Sequence, residues 1–402
     1  DNEVAVVTAD GVDLSTLDDT PVQREPVRIL WDPIMAEKGG YRHFMLKEIY
    51  EQPRAITDTF RGRVAPETGS IVLPDVNLDP STVKRIERVV FVACGTAFHA
   101  AMLGRTMVER LAGIPAEVDL GSEFRYRDAI VGPETLVVAV SQSGETADTL
   151  GAVKAAQLKG CPILAITNVV GSALAREATG VLYMHAGPEI GVASTKAFTT
   201  MIVATYLLAL SLGRQRGALT AEDVKKRIQD LVEIPRLVEA TLEHDAAIAA
   251  LARSLSTASD FLYLGRGVQF PIALEGALKL KEISYIHAEG YAGGEMKHGP
   301  IALIADGLPV VALAPRDASY DRMLGNIEEV RARDGLVIAI TNPGDRAVAA
   351  KAAHVIEVPA AAELLAPILT VIPLQLLAYH VAVRRGCDVD QPRNLAKSVT
   401  VE

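Results

Sequence analysis

The same pattern of short apolar runs occurs twice along the chain, and this duplication constrains the fold more than any other feature. The first copy has such runs at 89–93, 136–140 and 163–167. The second copy has them at 261–264, 309–313 and 337–341. Matching residues keep nearly constant offsets, with 170 residues from Gly95 to Gly265 and 174 from Asn168 to Asn342. Such regularity indicates a duplicated domain.

In each copy, helix-length amphipathic segments separate the apolar runs. Short, continuously apolar strands that alternate with helices are typical of parallel sheets covered on both faces. The sequence therefore predicts an α/β fold with two tandem doubly wound parallel sheets. Ligands of such sheets bind at the carboxyl ends of the strands, so the loops after Ala93 and Val140 are the candidate functional regions.

Composition excludes several classes of function. The 402 residues carry a net charge of −10 and no basic block, so neither nucleic acid nor an anionic membrane surface is an expected partner. Three widely spaced cysteines predict neither a disulfide framework nor a zinc ribbon, and they fit a reducing cytoplasm. The segment from Leu364 to Val383 is long and nearly uncharged, but prolines interrupt it, so we expect a buried core helix rather than a membrane span.

The N-terminal part differs from the duplicated body. A β-like run from Glu3 to Thr8 precedes an Asp-Gly turn at Asp10, and the pattern from Trp31 to about Phe60 is helical. The chain starts without Met or a secretory signal, which suggests a piece of a longer protein.

The loop 141–146 follows the second apolar run and carries a cluster of polar side chains, Ser141, Gln142, Ser143 and Thr146. A helical pattern begins at Ala147, and the free N–H groups and dipole of a helix start favour a phosphate. One serine could simply cap the helix, but a cap needs a single hydroxyl. The matching loop of the second copy, 314–319, lacks the cluster, which indicates one phosphate site per chain.

Acid and base candidates lie in the second copy. Glu275, Lys279 and Glu282 share one face of a helical pattern predicted from Pro271 to Tyr291, although such a stripe is most often a solvated ion pair.

A glycine-containing loop then brings His298 just beyond that helix. Aldose–ketose interconversion needs one group to open the sugar ring and another to move a proton between C1 and C2, and Glu282 and His298 have suitable chemistry. Three other histidines lie in apolar segments and are expected to be packing residues: His99, His185 and His380.

Six segments resemble glutamine:fructose-6-phosphate aminotransferases, namely 94–96, 141–149, 189–196, 273–290, 297–300 and 388–402. The resemblance extends from about Lys38 to the C-terminus. It implies two tandem sugar isomerase (SIS) domains with a C-terminal tail. The implied activity makes glucosamine 6-phosphate from fructose 6-phosphate and ammonia, in the cytoplasm, without metal or cofactor.

The resemblance also implies roles for single residues. Glu282 is the base that moves the proton, assisted by Lys279, and His298 opens the ring in the site of the neighbouring subunit of a homodimer. Lys397 forms a Schiff base with the ketose, which needs a neutral amine and hence a desolvated or cationic setting. The implied substrate-binding residues are Cys94, Gly95, Thr96, Ser141, Gln142, Ser143, Thr146, Val192 and Ala396. Ala97 stands where some members have Ser.

The expected organisation follows from this resemblance. The segments are 1–25, a remnant of an upstream glutaminase domain; 26–78, a linker and helical lead-in; 79–235 and 236–386, the two SIS domains; and 387–402, an active-site tail. The family's glutaminase domain begins with a nucleophilic Cys, whereas the first Cys here is Cys94, so glutamine hydrolysis is not expected of this chain.

Two other functions stay open at this point. A plain phosphosugar isomerase would need no ammonia step, and a sugar-phosphate sensor would need no catalytic residues. The tail with Lys397 favours the aminotransferase over the isomerase. A sensor has no use for Glu282, His298 and Lys397 together.

Overall fold

The computed structural model describes residues 2–25 and 36–401, which belong to two compact units, 1–33 and 34–402. The first unit contains an antiparallel hairpin of β1 (Glu3–Val7) and β2 (Val12–Thr16). The β-like run and the Asp-Gly turn predicted here are confirmed.

The second unit starts with a lead-in of short elements. They are α1 (Phe44–Tyr50), α2 (Gln52–Phe60), β3 (Val64–Ala65), β4 (Ser70–Ile71) and α3 (Pro80–Arg85). The helical prediction from residue 31 onward is correct only for 44–60, because 36–43 form turns and bends, and 31–35 lie outside the described residues. Asp79, where the first domain was expected to begin, caps α3 by accepting N–H bonds from Ser81 and Thr82.

The first copy follows, with a five-stranded parallel sheet in the order β6-β5-β7-β8-β9. Its elements are β5 (Arg88–Ala93), α4 (Thr96–Ala112), β6 (Ala116–Leu120), α5 (Gly121–Tyr126), β7 (Thr135–Ser141), α6 (Ala147–Gln157), β8 (Ile163–Thr167), α7 (Ala173–Glu177), β9 (Gly180–Tyr183) and α8 (Lys196–Arg216). The predicted strands and the start of α6 at Ala147 are confirmed.

Two helices connect the copies, α9 (Ala221–Leu242) and α10 (Asp245–Leu255). A capping box between Thr220 and Asp223 fixes the start of α9. The domain boundary expected at 235 lies within this helix.

The second copy repeats the parallel sheet, in the order β11-β10-β12-β13-β14. Its elements are β10 (Asp260–Gly265), α11 (Phe270–Ser284), β11 (His287–Ala292), β12 (Pro309–Leu313), α12 (Tyr320–Arg331), β13 (Leu336–Thr341), α13 (Arg346–Ala349), β14 (His354–Glu357) and α14 (Ala366–Arg384). Two doubly wound sheets, as predicted, are thus present.

One helix prediction is wrong at its end. The helix expected from Pro271 to Tyr291 stops at Ser284, since Tyr285 adopts a left-handed conformation with φ of 61°, and strand β11 follows. The shared face of Glu275, Lys279 and Glu282 lies before this end and is unaffected.

A common core joins the two copies. Helices α4 and α8 pack on one sheet and α11 packs on the other, while α14 packs against α11 and α4 also contacts α11. Matching glycines allow each inner helix to approach its strand, because a Cβ would lie 2.9 Å from the ring of Phe91 at Gly104 and 2.9 Å from that of Tyr263 at Gly276.

Among residues 2–25 and 36–401, two helices, α8 and α14, are long and apolar enough to cross a membrane. In each, about nine tenths of the most apolar window is buried inside the protein, with values of 94% and 89%. Both are therefore placed as core helices, as expected for 364–383.

Candidate active site

The loop between β7 and α6 folds back on itself through its hydroxyl groups. Ser141 Oγ accepts the N–H of Gly144 at 3.1 Å and lies 3.0 Å from Thr146 Oγ1. Ser143 Oγ accepts the N–H of Glu145 at 3.2 Å. Among the described residues, no side chain forms a capping hydrogen bond at the start of α6. Ser141 and Ser143 therefore do not act as simple helix caps.

The C-terminal tail crosses this loop. Residues 387–401 form no helix or strand, yet the carbonyl of Val399 accepts the N–H of Ala147 at 3.0 Å. The hydroxyls of Ser398 and Ser143 lie 3.0 Å apart. The tail is thus held across the start of α6, the position at which the sequence predicts a phosphate.

A cavity of about 270 Å³ lies beneath the tail. It collects residues from both copies and from the tail. Its lining includes eleven residues that the sequence singled out: Cys94, Gly95, Thr96, Ser141, Gln142, Ser143, Thr146, Val192, Glu282, Ala396 and Lys397. Ala97, Glu189 and Ser194 also line it. Groups more than 300 residues apart in sequence therefore share one pocket, a typical ligand site.

Lys397 is fixed by two acceptors on the segment between β9 and α8. Its Nζ lies 2.6 Å from Glu189 Oε2 and 2.8 Å from the carbonyl oxygen of Gly191. Of the two settings expected for Lys397, the cationic one is wrong, because the partner of the amine is the anion Glu189. An anionic partner hydrogen-bonds the protonated amine, so the amine must release a proton before it attacks a carbonyl.

Glu189 is the site residue to which sequence reasoning gave no role. Its side chain is fully buried, and besides Lys397 it accepts the N–H groups of Thr195 and Ala197 at 2.8 and 3.0 Å. Burial opposes its ionisation, but Lys397 and these N–H groups outweigh burial and lower the pKa of Glu189 below its ordinary value. Glu189 is therefore a carboxylate that holds the ammonium form of Lys397 in an ion pair.

The charged face of α11 forms a buried cluster with α4. Lys279 Nζ lies 2.5 Å from Glu282 Oε2 and 3.4 Å from Glu275 Oε1, and its side chain is fully buried. Burial lowers the pKa of Lys279, but the two carboxylates raise it more, and the net direction is upward. The raised pKa of Lys279 thus favours its cationic form, which pairs with both carboxylates of the helix face.

Thr96 connects the two helices of this cluster. Its hydroxyl donates to Glu275 Oε1 at 3.0 Å and accepts from Lys279 Nζ at 3.1 Å. Thr96 lines the cavity, as predicted, but its hydroxyl faces the acid–base cluster.

His99 was expected to be a packing residue, and this prediction is wrong. Its Nδ1 lies 2.8 Å from Glu275 Oε2, so the ring belongs to the charged cluster. The spacing of Thr96 and His99 on one face of α4 was the available signal. His380 also has a charged partner, Asp245 at 2.5 Å, and is not simply packed.

His298 is exposed and does not line the cavity of its own chain. It ends the short 3-10 helix Gly293–His298, beyond strand β11. Within residues 2–25 and 36–401, no group of three potential metal-ligand side chains is found.

The duplicated sheets and this cavity match known proteins. The sequence profile of the SIS domain matches residues 83–211 and 254–385, which correspond to the two copies. The chain belongs to the SIS domain family. A solved structure, the C-terminal domain of glucosamine-fructose-6-phosphate aminotransferase from Francisella tularensis, is 42% identical to this chain with a TM-score of 0.83, and the match covers 88% of this chain and 100% of that one.

Other relatives extend the match to the whole chain. The glutamine–fructose-6-phosphate aminotransferase (isomerizing) of Thermus thermophilus is 54% identical over 402 residues, and that of Chlorobaculum tepidum is 50% identical over the same length. The chain spans 66% and 65% of the length of these two relatives. The resemblance inferred from the sequence motifs is confirmed.

Proposed function

We propose that the chain is the synthase and isomerase part of a glutamine:fructose-6-phosphate aminotransferase, which converts fructose 6-phosphate and ammonia to glucosamine 6-phosphate. One observation carries the proposal. The cavity is lined by the phosphate loop of the first copy, by Glu282 of the second copy and by Lys397 of the tail. Converting a phosphorylated ketose to an amino sugar needs phosphate binding, proton transfer and imine formation in one place.

The first step is binding of the substrate through its phosphate group. The phosphate is held by the loop 141–146, where the hydroxyls and free N–H groups can donate to its oxygens. Binding there requires that Ser398 and Val399 give up or rearrange their contacts with Ser143 and Ala147.

The chemical steps use Lys397 and Glu282. The amine of Lys397, once its ammonium form has lost a proton to water, condenses with the C2 carbonyl of the open ketose and releases water. Ammonia then replaces the lysine nitrogen at C2. Glu282 moves a proton from C1 to C2 and the O1 hydroxyl proton passes to the nitrogen, which leaves an aldehyde at C1 and an amine at C2. Without ammonia, the same proton transfer on the free ketose gives glucose 6-phosphate.

We further propose that ring opening uses His298 of the partner subunit in a homodimer. His298 is exposed and outside the cavity of its own chain, which supports a role in trans. Ammonia would come from the glutaminase domain of the full-length enzyme, and the protein would act in the cytoplasm.

The first test measures conversion of fructose 6-phosphate to glucose 6-phosphate by the purified chain. We expect activity in the wild type and in Glu239→Gln, an exposed control on α9, and none in Glu282→Gln. Binding without turnover in the wild type would indicate a sensor. Turnover without a borohydride-trapped adduct on the tail would indicate a plain isomerase.

The subunit arrangement has a separate test. His298→Ala and Glu282→Gln proteins are each expected to be inactive. After mixing and subunit exchange, half of the dimers are mixed and each has one intact site, so activity should return to about a quarter of the wild-type value. If the mixture stays inactive although mixed dimers form, His298 does not act in trans.

A further inference from the structure

The segment 189–191, which hydrogen-bonds to Lys397, donates two backbone N–H groups to Glu48, a residue outside both SIS-matched regions. Glu48, on α1, has its Oε1 2.5 Å from the N–H nitrogen of Ile190 and 3.2 Å from that of Gly191. Its side chain is 2% exposed. Gly191 supplies the carbonyl that accepts Lys397, so Glu48 is one residue removed from the amine.

The same helix also fixes the tail. Asp390 accepts the N–H groups of Phe44 and Met45, both at 3.0 Å, and these are the first residues of α1. The backbone carbonyl of Asp390 accepts the N–H of Val192 at 3.0 Å. Helix α1, the segment 189–192 and the tail are therefore joined pairwise, and Lys397 lies seven residues beyond Asp390 on the tail.

The environment of Glu48 favours a neutral carboxyl group. Burial, and then the nearby carboxylate of Glu189, raise the pKa of Glu48 to about 8, against smaller opposing effects of the Ile190 N–H, Lys397 and Lys196. Its Oε2 has no hydrogen-bond partner among the described residues. At neutral pH the side chain thus acts as a neutral acceptor, a function that an isosteric amide can also supply.

The fit between Glu48 and the segment is close. A Cβ added to Gly191 would lie 2.9 Å from Glu48 Oε2, so a larger residue at this position would displace the carboxyl group.

We propose that Glu48 is a positioning residue for Lys397, which orients the segment 189–191 so that Glu189 and the Gly191 carbonyl hold the amine at the cavity. The proposal rests on the proposed function, because it assumes that Lys397 forms the imine. The proposal predicts that loss of Glu48 affects imine formation at Lys397 but not isomerisation of the free ketose. Isomerisation uses Glu282 and does not require an imine at Lys397.

The test compares Glu48→Ala and Glu48→Gln in the purified chain. The first readout is the rate at which borohydride traps fructose 6-phosphate on the C-terminal peptide. The second is the conversion of fructose 6-phosphate to glucose 6-phosphate. We expect trapping to fall at least about tenfold in Glu48→Ala, the effect of losing a buried hydrogen bond, and to stay near the wild-type rate in Glu48→Gln. Isomerisation should stay within about twofold in both.

Three outcomes would overturn the proposal. They are unchanged trapping in Glu48→Ala, a parallel loss of trapping and isomerisation, and a Glu48→Gln protein as impaired as Glu48→Ala. If Glu48→Ala does not fold, Gly191→Ala replaces it, and unchanged trapping in that variant also overturns the idea. Failure of the proposed function is distinct, because the wild type itself would then give no adduct on the tail.

Discussion

Replacing Glu48 by Gln should change how the stability of the protein depends on pH. In the folded chain the pKa of Glu48 is raised from 4.5 to about 8, first by burial and then by Glu189. The unfolded chain releases this proton near the ordinary value. Between pH 4.5 and 8 the folded state therefore holds a proton that the unfolded state has lost, and the free energy of unfolding falls as pH rises.

The size of the effect follows from the two pKa values. Each pH unit between them corresponds to about 1.4 kcal/mol, so the wild type loses at most about 5 kcal/mol through this group between pH 4.5 and 8. Glutamine cannot ionise and loses none of it. The stability of Glu48→Gln relative to the wild type should therefore increase steadily over this range and level off above pH 8.

Urea denaturation followed by circular dichroism at several pH values measures this difference. Exposed Glu239→Gln on α9 serves as the control, and its difference from the wild type should not vary with pH. A difference between Glu48→Gln and wild type that is the same at pH 5 and pH 8.5 would refute the reasoning. It would mean that Glu48 is ionised in the folded protein at neutral pH.

Three further predictions concern the site. Ser143→Ala and Thr146→Ala should each weaken binding of fructose 6-phosphate by about ten- to a hundredfold in titration calorimetry, since each loses a bond to a charged group, and unchanged dissociation constants would remove the loop from the site. Lys397→Met should abolish the borohydride-trapped adduct while exposed Lys281→Met keeps it, and an adduct on Lys279 would contradict the assignment. His99→Ala should lower the free energy of unfolding by about 1 to 3 kcal/mol, because buried Glu275 loses a partner, and His99→Asn should recover part of this loss.

The sequence was sufficient for features that lie within one element or repeat between elements. The constant offsets predicted both sheets, and the hydroxyl cluster before Ala147 predicted the loop at the end of β7. The spacing of Glu275, Lys279 and Glu282 placed them on one helix face whatever the rest of the fold. Such signals depend only on residues close together in sequence, so they can be recognised without knowledge of the tertiary structure.

Residues whose function depends on distant partners could not be found in this way. Glu48 bonds to residues 142 and 143 positions away, and in sequence it belongs to a mixed helical segment that resembles a solvated surface. Glu189 lies between regular elements, where periodicity carries no information. The helix that ends at Ser284 is predicted to extend too far because the apolar pattern continues into β11. Its end lies at Tyr285, which is left-handed, and a tyrosine in sequence does not indicate such a conformation.

The duplication has a consequence for how the two copies came to differ. At the offset of 172 residues that relates Gly104 to Gly276, Glu275 and Lys279 correspond to Leu103 and Met107 on α4, which are apolar and buried. The first copy thus has the hydroxyl-rich loop 141–146, and its helix α4 contributes only the uncharged Thr96 hydroxyl and the His99 ring to the cluster, while the second copy has the carboxylates and the lysine of that cluster. One cavity therefore needs both repeats, so a chimera of two first copies would keep the loop 141–146 without the Glu275, Lys279 and Glu282 stripe, and a chimera of two second copies would keep the stripe without the loop.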